Sequence, residues 1–449
     1  MQQRYAKLTI CGKIKEVMQM KVILVGIDIQ EEDFEESFIE LKGLASACNY
    51  QVVGTLTQKL KSINKKFYMG SGKLPILKSM IEEHHSDGIV FNNDLTPLQQ
   101  KNLEDELQCE ILDRTQLILN IFAKRAKTKE AKLQVEVARL SYLLPRLVTQ
   151  DAHFEQQVGG NKNTRGSGEK QLELNKRLIK NRIAQLNKDL AELEKNRQTQ
   201  RQKRQKNDIP LVAIVGYTNA GKSTLMNAFL ERYQKNEKKY VVEKDMLFAT
   251  LDTSIRHIKL EDNKEFLLCD TVGFISKLPV GLVKAFRSTL EEVLHADLIL
   301  HVLDISNPMF LRQMMVTNQT LLDIGVSPNT PMIYVYNKAE RLGFETLETK
   351  ENHVFISAKN RINMNVLVSH MKKELFKDYL RCKMFFTYKE GSILSYLSEH
   401  ANIFKKEYSE TGVLIDLECS LKDYKKYIDH VWLDHKNYKG LCFSKALLI

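Results

Sequence analysis

No apolar run in this 449-residue chain approaches the roughly 18 residues that a membrane-spanning helix needs. The opening residues, Met1-Gln2-Gln3-Arg4-Tyr5-Ala6-Lys7, are not followed by the apolar core of a secretory leader. The seven cysteines (11, 48, 109, 269, 382, 419 and 442) are odd in number, scattered and never spaced C-x-x-C. That pattern argues against a disulfide framework or a zinc site, and predicts small buried hydrophobes in a reducing cytoplasm. Peripheral attachment to a membrane surface is the one membrane role left open.

What is present begins with charge. Residues 124–206 carry 21 Lys or Arg against 9 Asp or Glu, which is more than the whole net excess of +11. The rest of the chain is therefore close to neutral, and one segment bears the footprint of a polyanion contact. A solvated pair of long charged helices is the plainer alternative. At 43% hydrophobic content the chain can bury several cores, and its length predicts about three domains.

Gly216-Tyr217-Thr218-Asn219-Ala220-Gly221-Lys222-Ser223-Thr224 fits the phosphate-loop pattern G-x-x-x-x-G-K-[ST]. The β-branched run at 211–215 predicts a buried strand before it, and good helix formers at 225–230 predict a helix after it. Glycines there let backbone N–H groups face a phosphate, and the helix start adds positive partial charge. Lys222 is expected to reach the β- and γ-phosphates, and Ser223 to bind Mg²⁺. By contrast Gly70-Ser71-Gly72-Lys73 lacks the upstream glycine and a following Ser or Thr, and reads as a turn opening a helix.

Upstream, strands at 21–26, 51–56 and 88–91 alternate with helical stretches at 31–48 and 71–84, predicting a small parallel α/β sheet. Long helices are expected at 123–144, where Pro145 marks a disturbance or an end, and at 169–206. In the second, Leu172, Ile179, Leu186 and Leu193 recur every seven residues with Ile183 and Leu190 between, a seam that predicts an antiparallel hairpin. Its connection, 159–168, holds four glycines and two basic residues and reads as an exposed recognition tip.

Downstream, a strand at 266–269 leads to Asp270-Thr271-Val272-Gly273, where the aspartate can hold Mg²⁺ through water and the glycine N–H can face a γ-phosphate. Phe248-Ala249-Thr250-Leu251-Asp252 is a loop with a threonine suited to the Mg²⁺ shell. Strands at 298–303, 332–336 and 354–356 precede Asn337-Lys338-Ala339-Glu340 and Ser357-Ala358-Lys359. These two signals select guanine, whose N1–H and N2–H₂ donate side by side to a carboxylate. Glu340 stands one methylene longer than the usual aspartate. From about residue 376 a strand (384–388), a helix (392–408) and a strand (413–417) predict a small α/β appendage without catalytic groups. The expected division is 1–122 (α/β domain), 123–207 (basic hairpin), 208–375 (P-loop domain) and 376–449 (C-terminal α/β domain).

GYTNAGKST, FATLD at 248–252, DTVGF at 270–274, the stretch from Lys132-Leu133-Gln134-Val135-Glu136 to Leu143-Leu144-Pro145-Arg146-Leu147 and the glycine-rich tip together resemble the HflX family of ribosome-associated GTPases. The resemblance spans roughly residues 20–440. It implies that Thr250 is the switch threonine on Mg²⁺, and that the partners are the large ribosomal subunit and its rRNA. It also implies a role in splitting or rescuing stalled ribosomes. The tip departs from the family by one extra residue and by Ser167 and Lys170, Thr253-Ser254-Ile255 replaces a Pro-Thr-Thr, and Glu340 replaces the aspartate.

The expected activity is a slow, partner-stimulated hydrolysis of GTP by a monomeric switch. Lys222, Thr250 and Gly273 support the reaction, but no residue is marked as the catalytic base. Phe274 occupies the place where the best-studied switches carry a water-orienting glutamine. Asn219 resembles the asparagine of potassium-activated GTPases, so K⁺ is a candidate second cation. Rival readings are an ATP-dependent RNA remodeller, a nucleotide-insensitive RNA scaffold, and a ribosome-protection GTPase that relieves antibiotics. The guanine signals oppose the first, and intact Lys222, Ser223, Thr250 and Asp270 oppose the second.

Overall fold

The computed structural model describes residues 19–30, 33–151, 165–206, 209–233, 247–248, 254–277, 287–343 and 352–432 (backbone only at 148–151, 165–172, 198, 200–206 and 287–290). These fall into two compact units. The first runs to Gln198 and includes residues 247–248, 273–277 and 287–288, and the second holds the rest.

The first unit starts with β1 (Lys21–Asp28), α1 (Phe34–Ala47), β2 (Gln51–Lys59), α2 (Leu74–His84), β3 (Gly88–Phe91), α3 (Pro97–Leu107), β4 (Glu110–Leu112) and α4 (Arg114–Arg125). The sheet order is β2-β1-β3-β4 and every pairing is parallel. β1 is buried from Val22 to Gly26 and on through Ile27, as a strand covered by helices on both faces must be. Sequence reading missed α3, although Thr96 and Gln99 form a capping box and Pro97 sits at its first turn.

The helix expected at 123–144 is broken at residues 126–128, after which α5 (Lys129–Asp151) continues through Pro145. A mid-helix proline costs about 3 kcal/mol. The next residue offsets it, because Arg146 donates to Asp113 (2.9 Å) and the Leu95 carbonyl (2.8 Å) and stacks on Tyr142. α6 (Arg165–Lys206) runs antiparallel to α5, since Glu130 pairs with Arg197 (3.0 Å) and Glu136 with Arg182 (2.9 Å). Leu186 is fully buried on the expected seam, with Ile179, Ile183, Leu190 and Leu193 half-buried around it. Residues 165–168, read as loop, open α6, and the remainder of the tip, 159–164, lies outside the described residues.

The second unit contains β5 (Leu211–Gly216), α7 (Lys222–Tyr233), β6 (Ser254–Lys259), β7 (Glu265–Asp270), α8 (Arg287–Leu294, from residue 289 on), β8 (Leu298–Asp304), α9 (Phe310–Ile324), β9 (Met332–Asn337), β10 (His353–Phe355) and α10 (Met364–Leu375). The order β10-β9-β8-β5-β7-β6 is parallel except for the edge strand β6. A smaller antiparallel sheet follows, built from β11 (Tyr379–Thr387), α11 (Gly391–His400), β12 (Asn402–Tyr408), β13 (Gly412–Ser420) and α12 (Leu421–Lys426), in the order β11-β13-β12. The helix expected to run to Tyr408 stops at His400. Ala401 is extended, and the following residues gain a ladder with β13 that local pattern does not reveal. The fold is therefore α/β throughout, with a P-loop domain between a parallel α/β sheet plus helical hairpin and a small C-terminal sheet. Among the described cysteines none forms a disulfide, and Cys48, Cys269 and Cys419 are buried.

Candidate functional site

β5 ends at Gly216 between β7 and β8, the switch point of the sheet, where ligands of doubly wound folds bind. Gly216 has φ +148°, and a Cβ there would lie 2.2 Å from the Val302 carbonyl oxygen. Gly221 has φ +94°, and a Cβ would lie 2.2 Å from Asn337 Nδ2. Both positions exclude any other residue. Asn219 also takes a left-handed φ of 62° and its side chain is exposed. The turn delivers Lys222, Ser223 and Thr224 to the first turn of α7, a geometry that forms an anion cradle.

Lys222 is buried, and its Nζ donates to the carbonyls of Gly216 (3.0 Å) and Tyr217 (2.7 Å). Burial pushes its ammonium group down to about 8, against the opposing pull of Asp270. Tyr217 and Ala220 are buried, and the Thr218 hydroxyl is buried without a hydrogen-bond partner among the described residues. Ser223 Oγ donates to Asp270 Oδ2 at 3.1 Å, and Thr271 Oγ1 donates to the Ile214 carbonyl at 2.7 Å, which pins the exit of β7 beside β5. Val272 is buried next to it. The Ser223 hydroxyl and Asp270 carboxylate are hard oxygen donors that suit Mg²⁺. No group of three or more His, Cys, Asp or Glu converges among the described residues.

Beyond the phosphate-type loop, Asn337 ties two loops together. Its Nδ2 donates to the Ala220 carbonyl (2.9 Å), and its Oδ1 accepts from the Ala358 N–H (3.0 Å). Lys338, at φ 64°, donates to the Asn219 carbonyl (2.8 Å) and to Asp304 Oδ2 (2.7 Å). Asp304 was missed in the sequence, where a lone aspartate at a strand end carries no signal. It falls here because β8 and β9 pair Asp304 with Asn337. Ser357 is buried and its Oγ accepts from the Asn360 N–H (3.0 Å), Ala358 is fully buried, and Lys359 is exposed. Glu340 lies on a short 3₁₀ turn, Ala339–Leu342, with its Oε2 buried and unpartnered among the described residues. An acceptor left so is suited to a donor pair supplied by a ligand.

Thus the structure brings 216–224, 270–272, 337–340 and 357–359 into one unit. Phe248 and Gly273 belong to the first unit, and Ala249, Thr250, Leu251 and Asp252 lie outside the described residues. No described helix is long and apolar enough to cross a membrane.

Three family models match successive parts of the chain: a GTP-binding GTPase N-terminal region over residues 35–123, a GTP-binding GTPase middle region over 125–204, and a 50S ribosome-binding GTPase over 211–338. The GTPase HflX of Caldanaerobacter subterraneus subsp. tengcongensis is 46% identical over 406 residues, covering 90% of this chain and 92% of that protein. GTPase HflX of Escherichia coli K12 is 36% identical over 413 residues, covering 90% and 95%. A GTP-binding protein of Sulfolobus solfataricus, solved with GDP, is 26% identical and covers 80% of this chain and 99% of that one, with a TM-score of 0.44. Three successive GTPase family models and 36–46% identity to GTPase HflX proteins over most of both chains lead to one conclusion: the chain belongs to the HflX family of GTPases.

Proposed function

We propose that this GTPase is a switch that works on the large ribosomal subunit and its rRNA, splitting or rescuing stalled ribosomes. The observation that carries the reading is Asn337, which joins the phosphate loop at Ala220 to the base loop at Ala358, so that phosphates and guanine are gripped by one framework. In this reading Gly216 to Thr224 hold the phosphates and Lys222 pairs with the β- and γ-phosphates. Asn337, Lys338, Glu340, Ser357, Ala358 and Lys359 hold guanine, with Glu340 accepting its two donors. Ser223 and Thr250, with Asp270 through water, would hold Mg²⁺, which would supply positive charge beside the phosphates.

The loops at 248–252 and 270–273 follow the γ-phosphate and relax after hydrolysis. Phe274 is 3% exposed and apolar, so water placement falls to another group. Intrinsic hydrolysis is then slow and accelerates on the partner. The Asn219 side chain, exposed on the loop, supplies a carbonyl for K⁺. Hydrolysis faster in potassium than in sodium at equal ionic strength supports that ion, and equal rates remove it. The basic α5–α6 hairpin (residues 123–207) supplies the rRNA contact, between a 1–122 domain and the 208–375 GTPase domain, with 376–449 as a further domain. The protein acts as a cytoplasmic monomer.

Sedimentation of ribosomal subunits with the protein tests this reading. Co-migration with the large subunit should require a GTP analogue, fall with GDP and resist competition by ATP. Migration indifferent to nucleotide, or equal competition by ATP, contradicts it.

A further inference from the structure

The strongest unexplained feature is a buried charge network inside the first unit that reaches a loop of the nucleotide machinery. Arg114, the first residue of α4, is 1% exposed. Its Nη1 donates to Asn92 Oδ1 (3.0 Å) and the Ser37 carbonyl (3.3 Å). Its Nη2 donates to the Glu40 carboxylate and to both the carbonyl and the hydroxyl of Ser276 (3.2 Å each). The Ser276 hydroxyl in turn donates to Glu40, closing the triangle. Glu40 is 7% exposed, so the ion pair is nearly dry and its geometry is costly to disturb.

A second contact of different chemistry lies on the same pair of helices. Phe248, 2% exposed and at φ +54°, meets Phe122 of α4 edge-on with ring centroids 4.7 Å apart. Leu247 fills the space left by Gly43 of α1, where a Cβ would lie 2.9 Å from Leu247 Cδ1. Ser37, Glu40 and Gly43 recur every three residues along one face of α1. That face and α4 therefore receive two segments distant in sequence. One ends two residues before Thr250, and the other lies three residues after Gly273. A bulky residue at positive φ persists only where its surroundings hold it, which makes the Phe248 contact a genuine anchor.

We propose that Arg114 and Glu40 are positioning residues for the loop that carries Gly273, and that the α1–α4 face and the γ-phosphate stabilise the same loop arrangement. The inference rests on the reading that the Thr250 and Gly273 loops answer to the γ-phosphate. Coupling of this kind is reciprocal, so nucleotide binding must tighten the helices as the helices order the loop. Ser276 is the polar link and Phe248 the apolar one.

Hydrogen exchange of the full chain with GDP and with a non-hydrolysable GTP analogue tests it, alongside calorimetric binding of both. In wild type, amides of 34–47 and 114–125 should exchange about threefold or more slowly with the analogue than with GDP. Ser276→Ala should bind both nucleotides yet lose that difference, and should lower kcat severalfold with KM unchanged. Ser276→Thr, which keeps the hydroxyl, should restore both. The inference fails if wild type shows no difference or the opposite sign, or if Ser276→Ala behaves as wild type. Failure of the analogue to bind at all would instead remove the nucleotide reading and the inference with it.

Discussion

Both parallel sheets of this molecule bury a cation just beyond the carboxyl ends of their strands, and the two cations are treated differently. Arg114, after β4, has a carboxylate partner in Glu40 and four further protein acceptors. Lys222, beyond β5, forms no salt bridge among the described residues and donates only to carbonyls of its own loop. A buried ion paired inside the protein is part of the architecture. A buried ammonium with neutral partners is held at a cost in stability, and an anionic ligand can recover that cost. The same sheet geometry thus supports a structural charge in one place and a ligand-binding charge in the other, because function resides in the loops grafted onto the strands.

Replacing each cation separates the two roles most sharply. Lys222→Ala should weaken GTP binding by at least about a thousandfold, ~4 kcal/mol, in calorimetry with Mg²⁺, while leaving the urea midpoint unchanged or higher. Retained affinity would dissolve the contrast. The matching lysine of the discounted Gly70-Ser71-Gly72-Lys73 turn, replaced in Lys73→Ala, should bind GTP as wild type does.

Arg114→Ala should do the reverse. It leaves Glu40 buried without its guanidinium, and unfolding of the first unit in urea should lose about 3 kcal/mol. A loss below ~1 kcal/mol would mean that water replaces the guanidinium and that the pair is not structural.

A smaller effect follows from pH. The free protein's Lys222 loses its proton as pH rises through about 8, whereas bound phosphates favour the ammonium. GTP affinity should therefore be level between pH 7 and 8 and fall above that by up to about tenfold per unit. The sign for folding is opposite, since the unfolded lysine holds its proton longer and stability rises with pH over the same window. Affinity level to pH 9.5 would place a compensating charge beside Lys222.

The contrast also explains what was legible beforehand. The phosphate loop could be read whole because its glycines, lysine and serine are contiguous and each obeys a local rule. The candidate loops at 337–340 and 357–359 also stand out locally, but their support does not: Asp304 reaches Lys338 only through strand register. The Arg114–Glu40–Ser276 triangle joins residues separated by 74 and 236 positions, and nothing local marks any member. Local signals also misplaced boundaries where tertiary contacts decided them. α5 passes Pro145 because Arg146 anchors it, and β12 is a strand because β13 lies beside it. The heptad seam of α6 was readable, but the break at 126–128 was not.

The ribosome should complete a reaction that this chain begins slowly. GTP hydrolysis should be measured under multiple-turnover conditions with and without purified large ribosomal subunits, using wild type and Lys222→Ala. Wild type should accelerate by at least about tenfold with the subunits, and the variant should stay at background in both. A wild-type rate unchanged by large subunits would contradict the central claim.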